Sequence, residues 1–324
     1  MIYLDNAATT LIHSGIDHDF EPLGNATSRT HPIGLKTRKQ VEAAREKLGQ
    51  FFSVPPGCVV FTSGATESLF ILGRWAKRTG LAITCSNQEH AAMLMNADHE
   101  FKSLPEGFQD QHVFSRMVVN NELGTAHDDW KRAKELGAAF TLADATQAIG
   151  KVDIDMEASS IDYLVGSAHK FHGPTGCGFI VARTRKLLAS LVDPKTNGGQ
   201  EKGIRPGTLN ARAIIQTGQA LQWLVEKETE YRPHLALLQE TFESEIQSLT
   251  DCEINEADKP RAPHITSLHL PGVDNEALIS AVSDRLAIAS GSACTSEKVE
   301  ASHVLMALYN DQDRAESTVR ISYG

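Results

Sequence analysis

The stretch AAFTLADATQAIGKVDIDMEASSIDYLVGSAHK, residues 138–170, decides the fold class. It contains two short apolar runs, Ala138–Ala143 and Tyr163–Gly166, with the length and composition of buried β-strands. Polar residues follow both runs: Asp144 comes directly after the first, and Lys170 lies shortly after the second. In open α/β sheets, ligands bind beyond the carboxyl ends of the strands. We therefore predict two strands of an α/β sheet whose functional side chains meet at one edge.

The same alternation of apolar runs and amphipathic stretches continues on both sides of this segment. Val41, Ala44 and Leu48 form one stripe at helical spacing, which predicts a surface helix over Leu35–Leu48. Residues 63–67 follow an apolar run and predict a turn that opens a second helix. Further strand predictions are Val59–Thr62, Leu81–Cys85, Arg116–Asn120 and Gly178–Val181. Alternating strands and helices indicate βαβ units around a mostly parallel sheet.

The pattern changes after Thr208. Two helices are predicted, Ala211–Glu230 and Pro233–Leu249, followed by a strand over Ile265–Leu270 and a helix over Asn275–Leu286. We interpret this part as a smaller domain. The predicted division is a large domain over residues 16–229 and a small domain made of residues 1–15 and 230–324.

Composition narrows the class of protein. The 324 residues carry a net charge of −10 and are 41% hydrophobic, which excludes disordered, collagen-like and coiled-coil proteins. Nucleic-acid-binding proteins usually carry an excess of basic residues, which this acidic chain lacks, so we expect no direct nucleic-acid partner. Five cysteines without a CxxC pair fit neither a disulfide framework nor a zinc site. With no signal peptide and no apolar membrane span in the sequence, we expect a cytoplasmic protein without bound metal.

Asp144 and Lys170 together suggest a cofactor. A lysine amine can form a Schiff base with the aldehyde of pyridoxal 5′-phosphate (PLP), and a carboxylate can keep the pyridine nitrogen protonated. The turn at residues 63–67 could bind a phosphate through free backbone N–H groups at a helix start, and His90 could stack on a flat ring. Each feature has an ordinary alternative: a solvated loop lysine, a helix N-cap, and a surface or core histidine.

Eight sequence blocks in register resemble one family. They are LDNAATT (4–10), TSGATES (62–68), QEH (88–90), NNELGT (120–125), DATQAIGKVDID (144–155), GSAHKFHGPTGCGFI (166–180), GGQEKGIRPGTLN (198–210) and SGSACTS (290–296). Together they are similar to cysteine desulfurases of the IscS/NifS type in the class V aminotransferase superfamily. The resemblance implies PLP fold type I, with a mostly parallel seven-stranded sheet flanked by helices and a smaller α+β domain.

The resemblance also implies residue roles around the cofactor ring. Lys170 matches the Schiff-base lysine, and His169 is its neighbour on the phosphate or ring side. Asp144 matches the partner of the pyridine nitrogen, Gln147 the residue that bonds the ring hydroxyl oxygen, and His90 the stacking residue. Either Lys170 or His90 could carry the substrate Cα proton, and the sequence leaves that choice open.

Further matched residues bind the phosphate and the substrate. Residues of the phosphate cradle are Ala65, Thr66 and Ser167. Thr208 resembles a residue that reaches the phosphate in the neighbouring subunit, which implies a homodimer. Asn121 and Arg320 match residues that bind the α-carboxylate of L-cysteine, a role that suits the bidentate fork of arginine.

Cys294 is the predicted sulfur carrier. It lies in SGSACTS, a run of small and polar residues, where a thiolate could take sulfur from L-cysteine as a persulfide and release alanine. Cys58, Cys85 and Cys177 are expected to be small buried hydrophobes. Cys252 has no assigned role.

Three segments are shorter than in the related proteins: residues between Thr10 and Asn25, residues between His90 and Asn120, and the part after Arg320. This favours a dedicated protein acceptor, although iron–sulfur assembly, tRNA thiolation and DNA phosphorothioation all stay open. The alternative functions are a selenocysteine lyase or another class V PLP lyase, and a non-catalytic scaffold. The SGSACTS run favours sulfur transfer, and the retained Lys170, Asp144 and His90 argue against a scaffold.

Overall fold

The apolar runs of the sequence form the centre of a seven-stranded sheet in a computed structural model of the chain, which describes residues 1–16, 23–108, 111–196, 198–291 and 301–324. The strands in these ranges are β1 (Ile2–Tyr3), β2 (Val59–Thr62), β3 (Ala82–Ser86), β4 (His99–Phe101), β5 (His112–Met117), β6 (Phe140–Asp144), β7 (Tyr163–Ser167), β8 (Gly178–Ala182), β9 (Glu253–Ile254), β10 (Ile265–His269), β11 (Leu286–Ala287), β12 (Ala289–Ser290) and β13 (Thr318–Ser322). The helices are α1 (Pro32–Phe51), α2 (Ala65–Thr79), α3 (Ala91–Leu94), α4 (Trp130–Glu135), α5 (Arg185–Ser190), α6 (Ala211–Leu249), α7 (Asn275–Val282), α8 (His303–Tyr309) and α9 (Gln312–Glu316).

The large sheet has the strand order β2-β8-β7-β6-β5-β3-β4. Strand β8 runs antiparallel to both of its neighbours, and the other pairs are parallel, so the predicted mostly parallel sheet is confirmed. Alternate residues of β7 enter two different hydrophobic clusters: Leu164 packs on the side of α1 and α6, and Tyr163 and Val165 on the side of α2. Burial on both faces explains why these strands are continuous apolar runs.

Two smaller sheets join distant parts of the chain. Strands β12-β13-β10-β9 form an antiparallel sheet, and β1 pairs in parallel with β11. A further bridge joins Asp5 to Ser322. The N-terminal residues therefore lie beside β13, close to the edge where β6 and β7 end.

The structure corrects three predicted elements. The two helices predicted on either side of Pro233 form one helix, α6. Proline removes one hydrogen-bond donor from the helix backbone. Contacts of the two preceding residues hold the helix at this point: Tyr231 OH contacts His172 Nε2 (2.8 Å), and Arg232 Nε donates to Gly150 O (3.3 Å). The predicted boundary between residues 229 and 230 falls inside this helix, and the division into two domains stays a prediction.

The other two corrections concern element ends. The strand predicted over Arg116–Asn120 is His112–Met117, because the ladder with β3 starts at His112 and residues beyond Met117 leave it. The predicted helix over 275–286 ends at Val282, because Leu286–Ala287 pair with β1.

Candidate active site

Lys170 lies where the sequence places it, just beyond the carboxyl end of β7. The chain enters a short 3-10 turn over Ala168–Lys170, and the Lys170 Nζ donates hydrogen bonds to Ala7 O (2.6 Å) and Ala8 O (2.7 Å). Burial lowers the pKa of Lys170 to about 8, and the nearby Arg320 acts in the same direction. The amine is therefore easier to deprotonate than an exposed lysine, as a nucleophilic lysine must be.

Asp144 ends the neighbouring strand β6 and is buried. Its Oδ1 accepts a hydrogen bond from Thr146 N (2.9 Å), which fixes the carboxylate at the sheet edge. The charge of Asp144 raises the pKa of both Lys170 and His90 against the effect of their burial, so the carboxylate acts on both groups. The structure thus brings together the three residues predicted to surround a cofactor ring.

His90 is the N-cap residue of α3 and lies close enough to Asp144 and Lys170 for their charges to act on it. Its Nδ1 accepts a hydrogen bond from Ala92 N (3.1 Å), so the neutral ring carries its proton on Nε2. Removal from water lowers the pKa of His90; Asp144 opposes this shift, and Lys170 and His303 reinforce it. The ring is therefore a neutral Nε2–H donor near neutral pH.

The predicted phosphate cradle is the start of α2. Ala65 and Thr66 form its first turn, whose N–H groups have no acceptor within the helix. A Cβ atom on Gly178 would lie 2.5 Å from the backbone of Gly64, so only glycine lets β8 pass this close to the helix start. Ser167, at the end of β7, lies beside the same loop, with its Oγ 3.8 Å from the position of a Cβ on Gly64.

An ion pair links this helix start to the segment that contains Thr208. Glu67 Oε2 accepts a hydrogen bond from Ser63 N (2.5 Å), and Glu67 Oε1 accepts one from Arg205 Nε (3.1 Å). Thr208 itself is exposed on the single chain.

Gln147 and His169 contact the N-terminal segment at the same edge of the sheet. Gln147 Nε2 donates to Ala7 O (2.7 Å), and its Oε1 contacts His264 Nε2 (3.2 Å). His169 Nδ1 contacts Thr9 Oγ1 (3.1 Å), and burial lowers the pKa of His169 to about 4. His169 is therefore neutral at physiological pH.

Arg320, on β13, lies in contact with the main chain of Asn121, the other residue predicted to bind the substrate carboxylate. Arg320 Nη1 donates to Asn121 O (3.0 Å), and Nη2 donates to Asp5 Oδ1 (2.9 Å). The buried Nε has no hydrogen-bond partner within the described ranges. Two acceptors of the chain therefore hold Arg320 in place.

Sequence reasoning missed three buried ionisable residues at this edge. Lys151 Nζ donates to Lys170 O, and burial lowers the pKa of Lys151 to about 7. Glu122 accepts a hydrogen bond from Ser302 Oγ, and burial raises the pKa of Glu122 to about 7. Glu89 Oε1 accepts from Met117 N (2.8 Å), and burial raises the pKa of Glu89 well above its ordinary value. Their positions inside the matched blocks GKVDID, NNELGT and QEH were the available signal.

The predicted sulfur carrier, Cys294, lies outside the described residues, as does all of 292–300. Gly291 and Ser302 are described on either side of this segment, and both lie against the Glu122 carboxylate. Cys58, Cys85 and Cys177 are buried as expected, and Cys252 is half-buried.

Both ring nitrogens of His172 contact groups of the protein. Its Nε2 contacts Tyr231 OH (2.8 Å), and its Nδ1 contacts Leu11 O (3.0 Å). In the part of the chain that the structure describes, no group of three His, Cys, Asp or Glu residues could bind a metal ion. No helix there is long and apolar enough to cross a membrane.

The residues at this edge fit PLP. Lys170 supplies an amine for the aldehyde, Asp144 a carboxylate for the pyridine nitrogen, and the first turn of α2 unpaired N–H groups for the phosphate. The close approach of Gly178 to Gly64 keeps side chains out of the cradle. The guanidinium of Arg320 is a group of the kind that binds a substrate carboxylate.

Comparison with known proteins gives a consistent result. Residues 2–104 and 99–324 match the family Aminotransferase class-V. The chain is 34% identical, over an alignment of 355 positions, to cysteine desulfurase IscS of Neisseria meningitidis, with 100% of this chain and 87% of that protein covered. It is 33% identical to cysteine desulfurase IscS of Pseudomonas aeruginosa, with 100% and 88% covered.

Solved structures share the fold over nearly the whole chain. A NifS-like protein superposes with a TM-score of 0.85 at 27% identity, covering 99% of this chain and 93% of that one. SspA in complex with cysteine gives a TM-score of 0.82 at 26% identity, covering 99% and 98%. DndA from Streptomyces lividans gives a TM-score of 0.74 at 31% identity, covering 92% and 91%.

Proposed function

The chain belongs to the class-V aminotransferase family and to its cysteine desulfurases, and we propose that it takes the sulfur atom of L-cysteine onto Cys294 as a persulfide. The observation that carries this proposal is the convergence of Lys170, Asp144 and His90 with Arg320 at one edge of the sheet. Bound PLP would supply the electron sink that stabilises negative charge next to the substrate Cα. The roles below concern the residues of the chain itself.

Arg320 orients the substrate. Asn121 O and Asp5 Oδ1 hold its guanidinium at this edge of the sheet, and the planar fork is the group that would bind the α-carboxylate of L-cysteine. Because the group is buried, a carboxylate bound there exchanges water for a charge-assisted hydrogen bond of fixed direction. The reacting sulfur is thereby placed relative to Lys170.

Lys170 and His90 divide the proton transfers. Lys170, with a pKa of about 8, can accept the Cα proton once its amine is free. His90 accepts a hydrogen bond at Nδ1 and carries its proton on Nε2, so it serves as a donor and not as the Cα base. We thus assign proton acceptance to Lys170 and proton donation to His90.

Cys294 performs the sulfur transfer. Its thiolate attacks the sulfur of the bound cysteine, so that an S–S bond forms while the Cβ–S bond of the substrate breaks. The electron pair of the broken bond stays on the substrate carbon, which takes up a proton and leaves as alanine. Cys294 keeps the sulfur for a protein acceptor.

The test measures alanine and persulfide from L-cysteine with PLP-loaded protein. Cys294→Ser is expected to keep the visible absorbance of bound PLP and to lose both products. Cys252→Ser, at a half-buried free thiol, is the matched control and is expected to keep both. If Cys294→Ser retains full alanine release, the persulfide role is wrong and a lyase reaction is favoured.

We propose a homodimer in which Thr208 contacts the cofactor phosphate of the partner subunit. In support, Thr208 is exposed on the single chain, and Arg205 in the same segment is tied to the phosphate cradle through Glu67. Mixed dimers of Lys170→Ala and Thr208→Ala chains test this arrangement. They are expected to contain one wild-type site and to recover activity that neither variant has alone. A mixture no more active than its components contradicts the arrangement.

We propose that the acceptor is a protein dedicated to one sulfur pathway. In support, the 324 residues align over 355 positions with cysteine desulfurase IscS of Neisseria meningitidis, so segments inside the aligned span are shorter in this chain and offer a different surface to an acceptor. Isotope-labelled persulfide on Cys294, incubated with a lysate of the source cells, should transfer label to one protein. Label transfer to a general iron–sulfur scaffold protein would overturn the dedicated role.

A further inference from the structure

His264 is a buried histidine that neither the matched sequence blocks nor the mechanism above uses. It precedes β10, is 1% exposed, and lies in contact with Gln147 at the edge of the active site. Its Nδ1 has no hydrogen-bond partner among the described residues. The one side-chain hydrogen-bond contact that the described residues give this buried ring is therefore the contact of Nε2 with Gln147.

The orientation of the Gln147 amide follows from its two neighbours. Ala7 O is an acceptor, so the group that faces it at 2.7 Å must be the Gln147 NH₂. The Gln147 oxygen therefore points towards His264 Nε2, at 3.2 Å. Two acceptors would repel at this distance, so His264 must carry its proton on Nε2.

The surroundings keep the His264 ring neutral. Lys151, Arg320 and Lys170 are the charged groups that act on it, and all three disfavour an additional proton. Burial has the same effect and lowers the pKa of His264 well below its ordinary value. With Nε2 protonated and the ring neutral, Nδ1 is an unprotonated nitrogen that accepts no hydrogen bond from the described residues.

We propose that His264 is a positioning residue, which holds the Gln147 amide so that its second N–H points at the ring oxygen of bound PLP. Gln147 has two amide hydrogens, and Ala7 O accepts only one of them. If the amide were reversed, its oxygen would face the ring oxygen and repel it. Without His264, the buried Gln147 oxygen would have no donor and would favour such a rotation. The proposal rests on the proposed function only through PLP binding.

The test follows the pH dependence of the visible absorbance of bound PLP. An N–H donor to the ring oxygen withdraws charge from it and lowers its affinity for a proton, so His264→Phe is expected to raise the apparent pKa of this absorbance. We expect a rise of about one unit and a PLP affinity weaker by about tenfold. His264→Asn restores an N–H donor and is expected to recover much of both values. His269→Phe, a partly buried histidine at the end of β10, is the matched control and is expected to change neither.

A double-mutant cycle separates positioning from general damage to the fold. In a Gln147→Ala background, His264→Phe is expected to leave the absorbance pKa unchanged, because the amide that it orients is gone. An equal shift in both backgrounds, or no shift in the wild-type background, overturns the proposal.

A second measurement covers the case in which His264→Phe does not fold. In wild-type holoenzyme labelled with ¹⁵N-histidine, the His264 ring should stay neutral with its proton on Nε2 between pH 6 and pH 8. A proton on Nδ1 would overturn the proposal. Failure of the proposed function is distinguishable, since it would appear as absence of alanine production from wild-type protein with normal PLP absorbance.

Discussion

Replacing Lys151 by methionine is expected to change how the stability of the protein depends on pH. Lys151 is buried beneath Lys170, and its pKa of about 7 lies below the ordinary value of 10.5. Between these two values the unfolded chain binds a proton that the folded protein does not. The free energy of unfolding of the wild-type protein therefore rises with pH over this range. It decreases again as the pH falls towards 7, because folding then forces Lys151 to release its proton.

The magnitude follows from the two pKa values. A pKa of about 7 in the folded protein, against 10.5 in the unfolded chain, makes the penalty for burying Lys151 about 2 kcal/mol larger at pH 7 than at pH 9. Lys151→Met removes this penalty. It also removes the hydrogen bond to Lys170 O, at a cost of about 1–3 kcal/mol that does not depend on pH.

The assay is urea unfolding of the cofactor-free protein at pH 7, 8 and 9, because bound cofactor would add its own linkage. The stability of Lys151→Met relative to wild type should improve by about 2 kcal/mol from pH 9 to pH 7. Lys186→Met, at an exposed position on α5, is the control and should show a difference independent of pH. If the difference in unfolding free energy between Lys151→Met and wild type is also independent of pH, the reasoning is refuted.

Three further outcomes are expected. Gly178→Ala places a Cβ 2.5 Å from the Gly64 backbone and should weaken PLP binding at least about tenfold in an absorbance titration. Gly107→Ala, whose Cβ would make only an ordinary contact at 3.8 Å, is the control and should leave the PLP affinity unchanged. Equal PLP affinities of the two variants would contradict the tight cradle. Arg320→Lys should raise KM for L-cysteine about 10–100-fold with little change in PLP absorbance, since lysine lacks the fork; an unchanged KM would exclude Arg320 from carboxylate binding. Glu122 has a pKa of about 7 in the folded protein, above its ordinary 4.5, so the free energy of unfolding of the wild-type protein falls as the pH rises through this range. In urea unfolding, the free energy of unfolding of Glu122→Gln should therefore increase by about 2.5 kcal/mol relative to wild type between pH 5 and pH 8. If the two proteins show the same dependence of stability on pH, this prediction is wrong.

The sequence predicted the large sheet and the residues at its edge because both depend on local pattern. Strands β6 and β7 are short apolar runs, and parallel neighbours put Asp144 and Lys170 at the same edge without further information. Element ends were less predictable. Nothing in the apolar run around Val113–Val119 marks where the chain leaves the ladder.

Contacts between distant residues had no local signal. His264 and Gln147 lie 117 positions apart, and a histidine before a strand gives no sign of its partner. Lys151 follows a glycine and has the composition of a solvated turn, yet it is buried, with its Nζ donating to Lys170 O. Pro233 predicted a helix end, but tertiary contacts of Tyr231 and Arg232 keep α6 continuous.

The joining of Asp5 to Arg320, 315 positions away, has a consequence for synthesis of the protein on the ribosome. At translation rates of about 5–20 residues per second, residue 320 is made about 15–60 s after residue 5. Lys170 is made about half-way through this time, and from then on Lys170 and the phosphate cradle exist in the growing chain, whereas the site for the substrate carboxylate does not. A nascent chain could therefore begin to bind PLP before it is able to hold L-cysteine, so sulfur release would start only after β13 has been added.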